Sequence, residues 1–264
     1  MQNEGHSVVE AALARPVRAS LPAADVRRFR ENLRDFLDAR DSQNRKWGDA
    51  VWGVYAFYDY DGEPIYVGQT NEKLRTRIRR HLTNQRTDAV AMRVLDVMEV
   101  AEVEVWPLWG LQGTTRTDSA ARALLDAHEY SAYLLAIERS RFKAILNEKI
   151  PPVSAQLAAM PESHRQSLID VADRKEREHA DIRIARRAES ISRLADVARE
   201  RGEVSPGLRR VLVVQAVRLA FLAAERFAFS EGRKSPDPAA INVEALIGSV
   251  LHETQGVLEG EAPE

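Results

Sequence analysis

The sequence predicts an α+β protein: a three-stranded antiparallel sheet flanked by helices, followed by a mainly helical C-terminal domain. Three observations predict it. Two short runs rich in aromatic and β-branched residues, VWGVYAFY (51–58) and PIYVGQ (64–69), flank Asp61-Gly62, a strong hairpin-turn signal. The run AEVEVWPL (101–108) alternates like a third strand. From about residue 155 onward the pattern is helical, with no strand legible.

Taken in order, residues 1–20 read as a loosely structured arm. In the stretch 23–41, Val26, Phe29, Leu33 and Phe36 recur three or four apart, the spacing of one face of an amphipathic helix. After the hairpin, NEKLRTRIRRHL (71–82) has helical spacing at Leu74, Ile78 and Leu82, and another helix is expected near 87–99. Beyond the third strand, the Gly/Thr-rich loop WGLQGTTRTDS (109–119) leads into a long helix, roughly 118–141, with Asp118 or Ser119 as N-cap. Pro151-Pro152 marks a boundary. Helices are then expected near 163–201, 205–231 and 239–255, punctuated by Gly202, Pro206 and the GRKSPDP loop. The resulting division is an arm and helix (1–48), a small α+β domain (49–152) and a helical domain (153–264).

Bulk composition narrows the function. The 264 residues suffice for one large or two ordinary domains with a real core. With 38 basic against 40 acidic residues, no overall field draws the chain to DNA or membrane, so any polyanion site needs locally clustered charge. The absence of cysteine removes disulfides, thiolate nucleophiles and Cys-type zinc modules. Charges interrupt every candidate window of membrane-spanning length, and the first thirty residues lack a secretory apolar core, so a cytoplasmic location is expected.

The opening hairpin carries the chemistry. With Asp61 and Gly62 as central turn residues, Tyr60 pairs with Glu63, Phe57 with Tyr66, and Tyr55 with Gly68. Tyr55 and Tyr66 then share one face as diagonal neighbours, within reach of each other. Gly68, opposite Tyr55, leaves that phenol a side free of bulk. On the next helix Leu74, Ile78 and Leu82 form the buried stripe, and Arg77 and His81 lie on its edge one turn apart. A tyrosine pair on a hairpin is ordinarily cross-strand packing, and an Arg/His pair a solvated helix edge; here both converge on one surface in order.

The triplets GVY (53–55) and YVG (66–68), followed by Arg77 and His81, resemble the GIY-YIG nuclease family. The strand VEVW, a helical glutamate and a closing asparagine in ILNEK continue that family's pattern, over roughly 50–150. The resemblance implies a metal-dependent endonuclease that hydrolyses a DNA phosphodiester by an in-line water. A guanidinium matches the charge gained in such a transition state, so Arg77 is the expected clamp, with His81 supporting it or touching a phosphate oxygen. Tyr55 maps to the proposed general base, and Tyr66 would position water or phosphate.

A divalent ion, Mg²⁺ or Mn²⁺, needs a hard oxygen ligand. Glu129 is the candidate, because an acid in the middle of an otherwise apolar helix is costly without a partner. Asp126 and Glu138 on the same helix are alternatives, and so is simple pairing of the acid with Arg122, Arg139 or Arg141. Asn147 is expected to bond back to the hairpin. The lysine that some restriction-type members carry near the triplets has no counterpart before Lys73.

Binding of double-stranded DNA is expected along Lys73, Arg75, Arg79, Arg80 and Arg86, on a segment where only Asp88 is acidic. The run DRKEREHADIRIARR (173–187) mixes signs and reads as a solvated helix face. No zinc-finger, RNA-binding or helix-hairpin-helix signature is visible. A site-specific type II restriction-like enzyme, acting as a homodimer on DNA, is therefore preferred. A structure-selective repair or mobile-element nuclease and a non-catalytic DNA-binding protein are the alternatives.

Overall fold

The computed structural model describes residues 22–83 and 94–252. Helix α1 (Ala24–Asp38) buries Phe29, Leu33, Phe36 and Leu37. Strands β1 (Gly53–Tyr58) and β2 (Pro64–Thr70) form the hairpin, α2 (Leu74–Thr83) follows, and β3 (Glu102–Pro107) pairs antiparallel with β1. Helix α3 (Ser119–Arg139) starts at Asp118, whose carboxylate accepts from the Ala121 amide at 2.9 Å. Every residue of β1 is buried, so both faces of the central strand are covered. The arm 1–20 and most of the helix expected at 87–99 lie outside the described residues; within 94–99, a 3₁₀ turn spans Val97–Glu99.

The sheet has four strands, in the order β2-β1-β3-β4, and not three. Strand β4 (His164–Ser167) comes from the stretch expected to begin a long helix, and it covers the free edge of β3. Its residues are polar and give no alternating apolar signal; the pairing is fixed instead by tertiary packing. The His164 ring stacks on Phe36 at 4.9 Å and on Trp47 at 5.3 Å, and Leu168 just beyond is fully buried.

The remaining helices are α4 (Val171–Arg177), α5 (Ala180–Arg201), α6 (Pro206–Ser230) and the short α7 (Val243–Ile247). The expected 163–201 helix is thus a strand and two helices, the second capped by His179. Of the one expected at 239–255, residues 253–255 lie outside the described residues, and the rest holds a 3₁₀ turn and five helical residues, because Gly248 leaves the helix at φ 74°. Helix α6 supplies core residues Val211, Val214, Val217 and Phe221. No helix among the described residues is long and apolar enough to cross a membrane.

The run 173–187 does not behave as a solvated face throughout. Arg183 and Arg187 of α5 are buried and, with Arg218 of α6, all donate to Asp59 Oδ2, at 3.1, 3.1 and 2.7 Å. Glu99 takes Arg187 Nε at 3.0 Å and Asp61 takes Arg183 at 2.9 Å, so three cations face three carboxylates. Asp59 Oδ1 accepts the amides of Asp61 and Glu63. The helical half is therefore fastened to the tip of the hairpin.

Candidate active site

The hairpin turn is one residue longer than a two-residue Asp61-Gly62 connection. Asp59 N–H donates to the Glu63 carbonyl at 3.0 Å, leaving Tyr60, Asp61 and Gly62 as the loop, with Gly62 at φ 70°. A three-residue loop ending in a left-handed glycine is a common solution for hairpins. The expected Tyr60–Glu63 pair is replaced by Asp59 against Glu63. A bulge between Phe57 and Tyr58 absorbs the difference, so Phe57 still faces Tyr66 and Tyr55 still faces Gly68.

That register puts Tyr55, Phe57 and Tyr66 on one face, and α2 lays His81 over them. The Tyr55 and Tyr66 rings lie 6.3 Å apart, and His81 is 5.7 Å from the first and 5.8 Å from the second. The Tyr55 hydroxyl meets His81 Nε2 at 2.9 Å and receives Arg77 Nε at 3.3 Å. One phenol thus joins β1 of the hairpin to α2.

Gly68 is required by this arrangement. A Cβ there would lie 2.5 Å from the Tyr55 hydroxyl oxygen and 2.7 Å from Cζ. Gly68→Ala is expected to displace Tyr55 from His81 and to cost about 1–3 kcal/mol, as overpacking of a tight site does. Urea unfolding would measure it, and a midpoint equal to that of the parent would show that Tyr55 moves freely.

Electrostatics at the cluster follow from burial. Burial first, and then the neighbouring Tyr66 phenol, hold Tyr55 well above the usual tyrosine range, with Arg77 pulling the other way. Burial likewise raises Tyr66. Burial, followed by the charges of Arg77 and Arg80, lowers His81 to about 4, so the imidazole is neutral at neutral pH. Burial and then Asp126 raise Glu129 to about 7, against the pull of Arg77 and a hydrogen bond from the Gln69 backbone N–H.

A cleft of about 690 Å³ opens onto this cluster. Tyr66, His81, Glu129 and Asn147 line it, while Tyr55 lies fully buried behind them. Asn147 clasps β2 from both sides: Val67 N–H donates to its Oδ1 at 3.0 Å, and its Nδ2 donates to the Val67 carbonyl at 2.8 Å. Glu129 has no salt bridge among the described residues; Arg122 donates to the Arg116 carbonyl, and Arg141 pairs with Asp61, Glu63 and Glu225. Glu138 is exposed at the far end of α3, away from the cleft. Asp126 holds Gln69 Nε2 at 2.8 Å.

Sequence reasoning missed the opposite wall. Glu148 and Lys149, and the start of α6 at Ser205–Gly207, also line the cleft. Ser205 donates to Glu148 at 2.7 Å, and a Cβ on Gly207 would strike the Glu148 carbonyl at 1.8 Å. The only local signal was position, directly after Asn147.

Of the basic residues expected to track DNA, Arg79 is exposed with no ion pair among the described residues. Lys73 lies 3.6 Å from Asp49, and Arg80 pairs with Glu72 at 2.7 Å. Arg75 is held by Asp38 at 2.9 Å and Asp49 at 3.0 Å, which ties α2 to α1 and leaves little charge to offer a phosphate. Arg86 lies outside the described residues.

Residues 51–125 match the family model for the GIY-YIG catalytic domain. The match includes Tyr55, Tyr66, Arg77 and His81, and it ends four residues before Glu129. No curated protein and no solved structure matches the chain.

Proposed function

Through residues 51–125 this chain belongs to the GIY-YIG nuclease family, and we propose that it is a metal-dependent DNA endonuclease of the site-specific, restriction type. The observation that carries this reading is the convergence of His81 and Tyr66 on a cleft that also holds Glu129, with Tyr55 behind them bonded to both His81 and Arg77, whose guanidinium opens on the adjoining pocket lined by Gln69 and Asp126.

The chain's own residues divide the work. Arg77, fixed by its bond to Tyr55, supplies a guanidinium for the phosphate oxygens that gain charge in the transition state. Neutral His81 and Tyr55 share one hydrogen bond, which orients the phenol that the family resemblance assigns as general base; to act so, its proton would have to be lost with the help of Arg77 and a bound cation. Tyr66, on the cleft surface, positions water or phosphate. Asn147 holds the β2 backbone between Tyr66 and Gly68 in register.

Glu129 suits a divalent cation. It is a carboxylate raised to about 7 with no salt bridge among the described residues, and Mg²⁺ commonly uses one or two carboxylates together with substrate phosphate and its own hydration. Such an ion, Mg²⁺ or Mn²⁺, would neutralise charge on the phosphate when bound.

Proton and metal then compete for Glu129, which gives a pH test. At subsaturating Mg²⁺ the cleavage rate should rise with pH through about 7, and its midpoint should fall as Mg²⁺ is raised. Without metal the sign for stability is opposite. The folded carboxyl holds its proton more tightly than the unfolded one, at 4.5, so stability falls as pH rises from 4.5 towards 7 and then levels. A rate profile with a midpoint independent of Mg²⁺ would remove Glu129 from the metal site.

The deciding experiment incubates the protein with plasmid and phage DNA, in Mg²⁺ or in EDTA. Discrete metal-dependent fragments are expected; a smear, or cutting confined to branched substrates, would replace the restriction reading with that of a non-specific or structure-selective nuclease. One cleft per chain and two strands to cut imply a homodimer on DNA, with a cleavage rate of higher than first order in protein.

A further inference from the structure

The molecule has a second charged concavity. Between α1 and α2 runs a groove of about 1010 Å³, lined by Arg27, Arg30 and Arg34 from one helix and Arg75, Arg79 and Arg80 from the other. Glu31 is the acid that faces it. In a chain of net charge −2, six guanidiniums along one groove are a local concentration that the overall balance conceals.

Helical geometry explains the alignment. Positions 27, 30 and 34 fall on one face of α1 and span about 10 Å at 1.5 Å per residue, while Arg75 and Arg79 are one turn apart on α2. The six are not equivalent. Arg75 and Arg80 are largely neutralised by Asp38, Asp49 and Glu72, and Arg34 touches Asp35 at 3.0 Å on the surface. Arg30 and Arg79 are exposed, have no ion pair among the described residues and line the groove from opposite helices.

The groove is also placed in relation to the cleft. Residues two apart on a helix point about 200° apart, so Arg77 and Arg79 occupy opposite flanks of α2. A helix with its side chains is about 10–12 Å across, close to the roughly 12 Å width of the DNA major groove.

We propose that the α1–α2 groove holds a second stretch of duplex DNA backbone, across one groove of the duplex from the phosphate cut beside Arg77, with Arg30 and Arg79 as its principal contacts. The inference rests on the nuclease reading for the identity of the cut phosphate, but the groove's affinity for DNA is measurable without cleavage. Arginines in such a track fix orientation and register and carry no sequence information themselves.

The test measures binding of a fluorescent duplex to the full chain in EDTA, by anisotropy, across a salt series. Arg30→Glu/Arg79→Glu is compared with Arg233→Glu/Lys234→Glu, which makes the same charge change on an exposed loop elsewhere. The groove variant should bind roughly 10- to 100-fold more weakly at intermediate salt, and the slope of log K against log salt should shrink by about 2, one for each phosphate contact removed. The loop variant should remain within about twofold. The milder Arg30→Gln/Arg79→Gln, checked by thermal unfolding, covers the case in which charge reversal disturbs folding, and should show the same reduction in slope. Equal affinity and slope for groove and loop variants would overturn the inference even if the parent cuts DNA. Groove-dependent binding by a parent that never cuts would leave the groove standing and remove the nuclease reading.

Discussion

Asp59→Ala should lower the stability of this protein by about 3–5 kcal/mol, the effect of leaving buried charges without their partner. Arg183, Arg187 and Arg218 are each less than 5% exposed and all converge on one Asp59 oxygen. Without that carboxylate, three guanidiniums remain with only Glu99 and the half-exposed Asp61 to balance them. The substitution also removes the acceptor for the Asp61 and Glu63 amides, so it opens the turn. Asp59→Asn separates the contributions: it can keep both turn bonds while losing the charge, and should fall between the parent and alanine. Adding Arg218→Met to Asp59→Ala should recover part of the loss, because replacing a buried ion pair by apolar groups is often neutral. Urea unfolding monitored by tryptophan fluorescence gives these values; an alanine variant within about 1 kcal/mol of the parent would mean that water reaches the cluster. Asp59 lies four residues after Tyr55 on the same chain. Loosening it should therefore be felt at the cleft, and the helical half acts as a clamp on the hairpin.

That clamp is also where sequence reading ended. The hairpin was legible because a period of two, a turn glycine and the Tyr55–Gly68 pairing are local facts, and a bulge corrected the one-residue error in the turn. The Arg77 and His81 flank of α2 was legible from the Leu74, Ile78 and Leu82 stripe that it borders. Arg183 and Arg187 were not, since an arginine bound for a carboxylate more than a hundred residues away looks locally like any solvated one. Strand β4 was hidden for the same reason: its polar residues are selected by the edge of β3 and by the slot between Phe36 and Trp47, neither nearby in sequence. Glu129 stood out only because its helix is otherwise apolar, whereas Glu148 and Ser205 face the cleft through a contact that no periodicity encodes.

Arg77→Ala should reduce the DNA cleavage rate by on the order of 10²–10³-fold, the usual consequence of removing one transition-state donor. Binding of uncut DNA in EDTA should change by no more than a few-fold, because the contact matters most when charge has built up on the phosphate. Arg77→Lys should recover little, since an ammonium cannot present two parallel donors to a phosphate while also reaching the Tyr55 hydroxyl, as Arg77 Nε does at 3.3 Å. Glu129→Gln should be equally inactive at neutral pH, but by a different route. Its defect should be loss of metal affinity, seen as an absent Mg²⁺ response and a lost dependence on pH near 7, while the Arg77 variant keeps the Mg²⁺ response and a pH dependence whose midpoint moves up, because Arg77 no longer holds the Glu129 proton affinity down. The pair of profiles separates charge clamping from metal binding. If Arg77→Ala cuts within tenfold of the parent, the guanidinium serves only to anchor Tyr55, and the reacting phosphate must be held by the opposite wall of the cleft, where Lys149 is the available cation.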